Sequence, residues 1–378
     1  MDIKDFMLAI YDLGADFFTG VPDSLLRPFM DYIMDTYGIS SKHIVAANEG
    51  AAVGLAAGHY LATSKPAVVY MQNSGIGNAV NPICSLLHKK VYAIPVLFVI
   101  GWRGEPGVKD EPQHIFQGEA TLPLLDCLEI PYHVISNETG ISDLSIQNGL
   151  FKKYISGGQS VAYVIKNNVL QNNSKAKYNS DYPLTRENII KTILSRTLPN
   201  DVYVCTTGKL SREVFEIRES NESGHASDFL TVGSMGHSIM IAQGIAIAKP
   251  NKRVFCLDGD GAVLMHMGSL AVAGAQGSKN LIHIVINNGA HETVGGVPTV
   301  CNQINLSEIA SKLGYKHTFR VISEDELHVF LNSLDIMEGP VFIEVMCNLF
   351  SRKDLGRPTT TPVQNKASYM SLLKEDIK

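Results

Sequence analysis

Asp260 and Asn288 stand 28 positions apart, and each follows a run of apolar, strand-forming residues. Val254–Leu257 leads into Cys256-Leu-Asp-Gly-Asp-Gly261, and Leu281–Ile286 ends in Asn287-Asn288-Gly289. Carboxyl ends of neighbouring strands in an open parallel sheet form its ligand crevice. Magnesium takes carboxylate, amide and carbonyl oxygens together with phosphate oxygens. Asp260, Asn288 and the Ala290 carbonyl are therefore candidate metal ligands. Gly259, Gly261 and Gly289 let the chain approach a phosphate, and a helix expected from about Gly261 through Ala262 would add N–H donors. Taken singly, each motif is ordinary turn chemistry. With strands before both, they suit a magnesium–diphosphate site. A dinucleotide oxidoreductase would need GxGxxG after the first strand, which is missing here.

The elements that must carry these residues follow from the apolar pattern. Strands are expected at Asp16–Thr19, Ile44–Ala46, Ala67–Met71, Pro95–Ile100, Tyr132–Ile135 and Val161–Ile165, with helices between them. A second series runs Val202–Cys205, Phe229–Val232, Val254–Leu257, Leu281–Ile286 and Val341–Val345. Such alternation predicts parallel sheets covered by helices. The alanine- and glycine-rich stretch Glu49–Ala62 predicts a helix with a close packing face. Polar residues gather before Pro183, and Thr185 offers an N-cap. The expected organisation is a domain over residues 1–170, a linker over 171–184 and a second, related α/β domain over 185–378.

Composition narrows the class. Hydrophobic residues make up 45% and charged residues 18% of 378, which excludes disorder. A net charge of −5 without a basic run argues against nucleic acid, so an anionic substrate must meet a local cationic cluster. No apolar run approaches the roughly 20 residues that span a bilayer. Six scattered cysteines without a CxxC pair are expected to be reduced, buried thiols of a soluble cytoplasmic protein.

The GDG and NN elements resemble the signature of thiamine diphosphate-dependent decarboxylases. That resemblance implies thiamine diphosphate and Mg2+ as cofactors, held by two domains that meet across subunits, hence a homo-oligomer with active sites at the interface. The family places a glutamate at the cofactor's N1′, between a strand and a helix. Glu49 in Ile44-Val-Ala-Ala-Asn-Glu49-Gly matches it, and burial would raise its proton affinity. A glutamate that merely complements a helix dipole is the plain alternative. Asn73-Ser-Gly-Ile-Gly-Asn78 resembles the turn beside the pyrimidine, assigning cofactor contacts to Asn73 and Gly75. Val232-Gly-Ser-Met-Gly236 resembles the segment that bends the cofactor, with Met235 as the wedge, Ser234 beside it and the Gly233 carbonyl as acceptor.

Members of this family usually carry a third, central domain, which this chain has no room for. The short members that decarboxylate 3-substituted pyruvates lack it. Resemblance to the phosphonopyruvate decarboxylases extends along Thr19-Gly-Val-Pro-Asp-Ser-Leu-Leu26, Gly101-Trp-Arg-Gly-Glu-Pro-Gly107, Asp110-Glu-Pro-Gln-His114, Thr206-Thr-Gly-Lys-Leu-Ser-Arg212 and Asp354-Leu-Gly-Arg-Pro358. It implies non-oxidative conversion of 3-phosphonopyruvate to phosphonoacetaldehyde and CO2 through the cofactor's ylid, in phosphonate biosynthesis. Sulfopyruvate decarboxylases share the layout, and a cofactor-binding relative without activity is the alternative of another class. His114, expected in a polar loop, is the candidate for moving the product's proton. Asp23, Ser24, Arg103 and Lys109 are the candidate substrate residues, with Arg352, Lys353 and Arg357 as further cations in a tail expected to be extended.

Overall fold

A computed structural model describes residues 1–173, 178 and 180–374. Two compact units divide the chain, Met1–Lys177 and Tyr178–Lys378, with no third unit between them. The linker residues 174–177 and 179 lie outside the described residues. At the linker's start, Gln171 accepts from the Ile3 N–H and Asn172 donates to the Pro28 carbonyl, so these residues pack with the first unit.

The first unit holds six parallel strands: β1 (Phe18–Gly20), β2 (His43–Val45), β3 (Ala67–Gln72), β4 (Val96–Gly101), β5 (Tyr132–Ile135) and β6 (Val161–Ile165). Their order in the sheet is β2-β1-β3-β4-β6-β5. β4 and β6 are buried along their whole length, as a sheet covered on both faces requires. Helix Glu49–Thr63 starts at Asn48, whose side chain accepts the Ala51 N–H. Its small residues permit a tight fit, since a Cβ on Gly50 would lie 2.9 Å from the Asn78 carbonyl oxygen of the next helix.

The second unit adds β7 (Asp201–Cys205), β8 (Asp228–Leu230), β9 (Arg253–Gly259), β10 (Leu281–Asn287), the short pair β11 (Ala290–His291) and β12 (Val297–Pro298), then β13 (His317–Val321) and β14 (Val341–Met346). The main sheet runs β13-β14-β10-β9-β7-β8, all parallel. Setting aside the β11–β12 hairpin, this is the strand order of the first unit read from the other edge. Two α/β units of one topology therefore make up the chain. Apolar clusters cover both faces of this second sheet, around Ile189, Val214 and Leu327 on one and Val263, Leu270 and Leu306 on the other.

Several expectations are corrected. β13 has no predicted counterpart, because His317-Thr-Phe-Arg-Val321 is a half-exposed edge strand without a continuous apolar run. β1 begins at Phe18, two residues after the predicted start. The segment 357–361 contains no helix or strand. It enters helix Pro362–Lys374, whose Asn365 donates to the Asp228 carbonyl and accepts from the Leu230 N–H, covering the β8 edge. Cys84 and Cys127 are exposed rather than buried, and all six cysteines are free.

Candidate functional site

In the second unit, the register of β9 on β10 places Asp258 opposite Val285 and Gly259 opposite Ile286. The two motifs thus leave the sheet side by side. Asp260 opens helix Asp260–Met265, and its carboxylate accepts N–H groups from Gly261, Asn288 and its own backbone. Thr299 donates its hydroxyl to the same carboxylate at 2.6 Å. Burial dominates these neutral donors and pushes the Asp260 carboxyl up to about 7. Removed from water without a countercharge, this group is suited to a cation. The N–H of Gly261, expected to serve a phosphate, is instead directed to the Asp260 carboxylate.

Asn288 is fixed by two contacts. Its amide nitrogen donates to Glu292 at 3.1 Å and its oxygen accepts the Ala290 N–H at 3.1 Å. Glu292 is itself held by Arg186 and by Lys209, the latter at 2.9 Å, while Arg186 forks onto buried Glu213 at 2.6 and 2.8 Å. Sequence inspection missed Thr299, Glu292 and Arg186, since none belongs to a motif around Asp260. Gly289 adopts a left-handed φ of 66°, and a Cβ there would lie 2.0 Å from the Asn302 side chain. Its glycine is thus explained by local packing. At Gly259 a Cβ would meet open space.

Loop 233–237 rests on this helix. Met235 approaches Gly261 so closely that a Cβ there would lie 3.2 Å from the Met235 methyl carbon and 3.1 Å from the His291 ring. Burial lowers the His291 pKa to about 4, leaving the ring neutral. Ser234 is exposed with φ 54°, Gly233 is half-buried beside it, and Ala262 is buried in the helix. The residues brought together here are Met235, Gly261, Ala262, Asp260, Asn288 and Ala290.

In the first unit, Glu49 is buried at the start of its helix. Burial raises its carboxyl pKa, only partly offset by Asn78, which donates to one carboxylate oxygen at 2.8 Å. The other oxygen lies over Gly75, where a Cβ would stand 2.3 Å from it. Gly75 is therefore a cradle for the carboxylate. The Asn73 amide nitrogen donates to the Arg103 carbonyl and the Thr121 hydroxyl, both at 2.8 Å, and its oxygen accepts the Arg103 N–H. Two of these bonds hold the Arg103 backbone, and the third ties Asn73 to helix Pro112–Cys127. Asn78 is the asparagine of that motif that meets Glu49.

A cavity of about 210 Å³ opens at the carboxyl ends of β1, β4 and β6. Ser24, Arg103, Lys109, Asp110, Glu105 and Asn167 are among its lining residues. Arg103 is balanced by Asp110, and Glu105 by Lys166 at 2.5 Å. Lys109 is the cation of this lining without an ion pair among the described residues. Asp23 does not line the cavity. It is fully buried, accepting from the Leu25 and Leu26 N–H groups and from Gln72 at 2.7 Å, and so shapes the turn beneath Ser24. His114 lies not in a loop but in the first turn of helix Pro112–Cys127, bonded through Nδ1 to Asp110 at 2.9 Å. Among the tail cations, Arg352 is engaged by Glu187, Glu216 and Asp354.

Comparison with known proteins assigns a domain model to each of the two units. Residues 4–124 match the model of the thiamine pyrophosphate enzyme N-terminal TPP binding domain, and residues 206–345 that of the C-terminal TPP binding domain. Phosphonopyruvate decarboxylase of Streptomyces viridochromogenes is 30% identical over 376 residues, covering 95% of this chain and 92% of the relative. That of Streptomyces hygroscopicus is 30% identical over 375 residues, covering 95% and 90%. Sulfopyruvate decarboxylase of Methanosarcina acetivorans is 24% identical over 355 residues, covering 88% of each. The resident cofactor implied by both domain models is thiamine diphosphate, and the oxygen donors around Asp260 and the buried Glu49, whose pKa burial raises, fit it. Two units of one topology, each with a buried carboxylate where its sheet ends, make the chain a member of the thiamine diphosphate-dependent decarboxylase family.

Proposed function

We propose that this protein decarboxylates 3-phosphonopyruvate to phosphonoacetaldehyde and CO2, a step of phosphonate biosynthesis. The observation carrying this substrate is the cavity lined by Ser24, Arg103 and Lys109, whose one unbalanced charge is positive. An unsubstituted 2-oxo acid has no second anion to place there, whereas a phosphonate offers three oxygens to a guanidinium and an ammonium.

When bound, the cofactor supplies an electron sink for the pair released as the substrate carboxylate leaves as CO2. The chain's own groups do the rest. Asp260 and Asn288, with the Ala290 carbonyl, would hold Mg2+, and Gly259, where a Cβ meets open space, and Ala262 would face a diphosphate, while the Gly261 N–H is engaged by the Asp260 carboxylate. Met235 would wedge the cofactor, with the Gly233 carbonyl accepting from it and Ser234 completing that loop. Burial disfavours the charged form of Glu49 and raises its carboxyl pKa, and Glu49 would share a proton with the cofactor's N1′ through the oxygen over Gly75. His114 would return a proton to the product carbon. A homo-oligomer joining Glu49 of one subunit to Asp260 of another is part of this proposal.

Decarboxylation measured with phosphonopyruvate, sulfopyruvate and pyruvate side by side tests it. Phosphonopyruvate should have the highest kcat/KM. Preference for sulfopyruvate would replace the substrate and leave the cofactor chemistry standing. No turnover by cofactor-loaded protein would indicate a binding relative without activity.

A further inference from the structure

One carboxylate joins the cavity to the imidazole. Asp110 accepts from Arg103 Nε at 2.8 Å and Nη2 at 2.5 Å, from the Gly104 N–H at 2.8 Å, from the Glu111 N–H at 2.7 Å and from His114 Nδ1 at 2.9 Å. Although burial opposes its charge, Arg103, His114 and Gly104 hold the Asp110 carboxyl well below the usual carboxylate range. An ionised carboxylate only accepts. His114 Nδ1 must then carry a hydrogen in either charge state, and Nε2 is left as the atom that gains and loses the proton.

The same carboxylate takes the Nε edge of Arg103. Nη1 reaches Ser24 at 3.1 Å, on the cavity wall. Of five guanidinium N–H groups, two go to Asp110 and one to Ser24, leaving two for an anion. The surrounding loop is braced so that this aim is kept. Asn73 bonds the Arg103 backbone in both directions, the Trp102 indole donates to the Gly118 carbonyl at 2.9 Å, and a Cβ on Gly118 would lie only 1.6 Å from the Gly104 carbonyl oxygen.

We infer that Asp110 is a positioning residue serving two reacting groups at once: it fixes the tautomer of His114 and aims the Arg103 fork at the substrate's second anion. This rests on the roles proposed above for His114 and Arg103. Two steps separated in the reaction, anion binding and proton return, are thereby coupled through one carboxylate of the cavity wall, which acts through Arg103 and His114.

The test is Asp110→Asn, which keeps the size but offers an amide in place of the two equivalent acceptors. With phosphonopyruvate, KM should rise about ten- to a hundredfold, as expected for a misaimed charge-assisted bond. With pyruvate, KM should hold. For both substrates kcat should fall on the order of a hundredfold, since His114 loses its assigned tautomer. Adding Asp110→Asn to Arg103→Ala should leave KM where the single change put it, and adding it to His114→Gln should leave kcat unchanged. Effects that persist in those double variants, or a silent Asp110→Asn beside damaging Arg103→Ala and His114→Gln, overturn the inference. A second measurement needs no variant to fold: 15N resonances of the His114 imidazole in the parent protein should show hydrogen on Nδ1 in the neutral ring. Hydrogen on Nε2 there overturns it as well. If His114→Gln keeps the full rate, the role given to His114 fails, while the resonance still decides what Asp110 does.

Discussion

Adding one methyl group at Gly75 should switch off proton sharing by Glu49 while leaving the fold intact. In Gly75→Ala the new Cβ would lie 2.3 Å from the near carboxylate oxygen of Glu49, and 2.5 and 2.6 Å from its Cδ and Cγ. Ordinary contact begins near 3.4 Å, so the carboxylate must retreat by about 1 Å. A displacement of that size at a reacting group can cost about a hundredfold in rate. Glu49 would also strain or lose its 2.8 Å bond from Asn78. Stability should change little. The colliding atoms end a flexible side chain, and replacing glycine narrows the unfolded ensemble by about 0.4–1 kcal/mol. The assay is deuterium exchange at C2 of the bound cofactor, beside kcat and Tm. Gly149→Ala is the control, because a Cβ at that exposed helical position meets nothing within 4 Å. Parental exchange rates in Gly75→Ala protein would refute the cradle. So would a collapse of Tm, which would mean that backbone rather than the carboxylate had to move.

Three further outcomes are expected. Glu49→Gln should retain the cofactor but lose C2 exchange, and exchange at the parental rate would exclude Glu49 as the proton partner. In metal-free protein the Asp260 carboxyl stands at about 7 against an ordinary 3.8, so folding favours its protonated form. The stability this lends is full below pH about 4 and lost as pH rises through 7, worth a few kcal/mol at most; Asp260→Asn should flatten that fall in urea melts and abolish cofactor retention, and unchanged affinity would remove Asp260 from the metal site. Arg186→Met should leave buried Glu213 uncompensated and Glu292 with Lys209 alone, lowering stability by about 3–5 kcal/mol and weakening cofactor affinity through Asn288; unaltered affinity would detach this network from the site.

What could be read from residues alone follows physical rules. β4, β6, β10 and β14 are buried throughout, so their runs are apolar but for His283 and Asn287 in β10 and Glu344 in β14, and their limits are nearly visible. Asn48-Glu49 announces itself as a strand-to-helix junction because Asn48 is a good N-cap. β13 is hidden by its half-exposed, polar edge. Within Asn73-Ser-Gly-Ile-Gly-Asn78 two asparagines bracket one turn, and only the folded chain shows Asn78 on Glu49 and Asn73 on the Arg103 backbone. Asp110 could have been found. It stands four residues before His114 at a helix start and seven after Arg103, a spacing that lets one carboxylate meet both.

Glu49, Asp260 and Asp110 show how partner chemistry sets what a carboxylate can do. Glu49 and Asp260 both begin helices, where the dipole favours negative charge. Yet both pKa values rise, because burial outweighs a dipole and a few neutral donors. Glu49 has one side-chain donor, the Asn78 amide, which only partly offsets the upward push of burial. Asp260 has four neutral donors and stands near the point where a divalent cation can displace its proton at physiological pH. Asp110 has two N–H bonds from a guanidinium among its five and stays ionised, an acceptor that can aim other groups but cannot transfer a proton. The difference lies in charge rather than in the number of hydrogen bonds. Replacing Arg103 by a neutral residue should therefore move Asp110 toward the behaviour of Asp260, and His114 would lose its fixed partner along with the anion site.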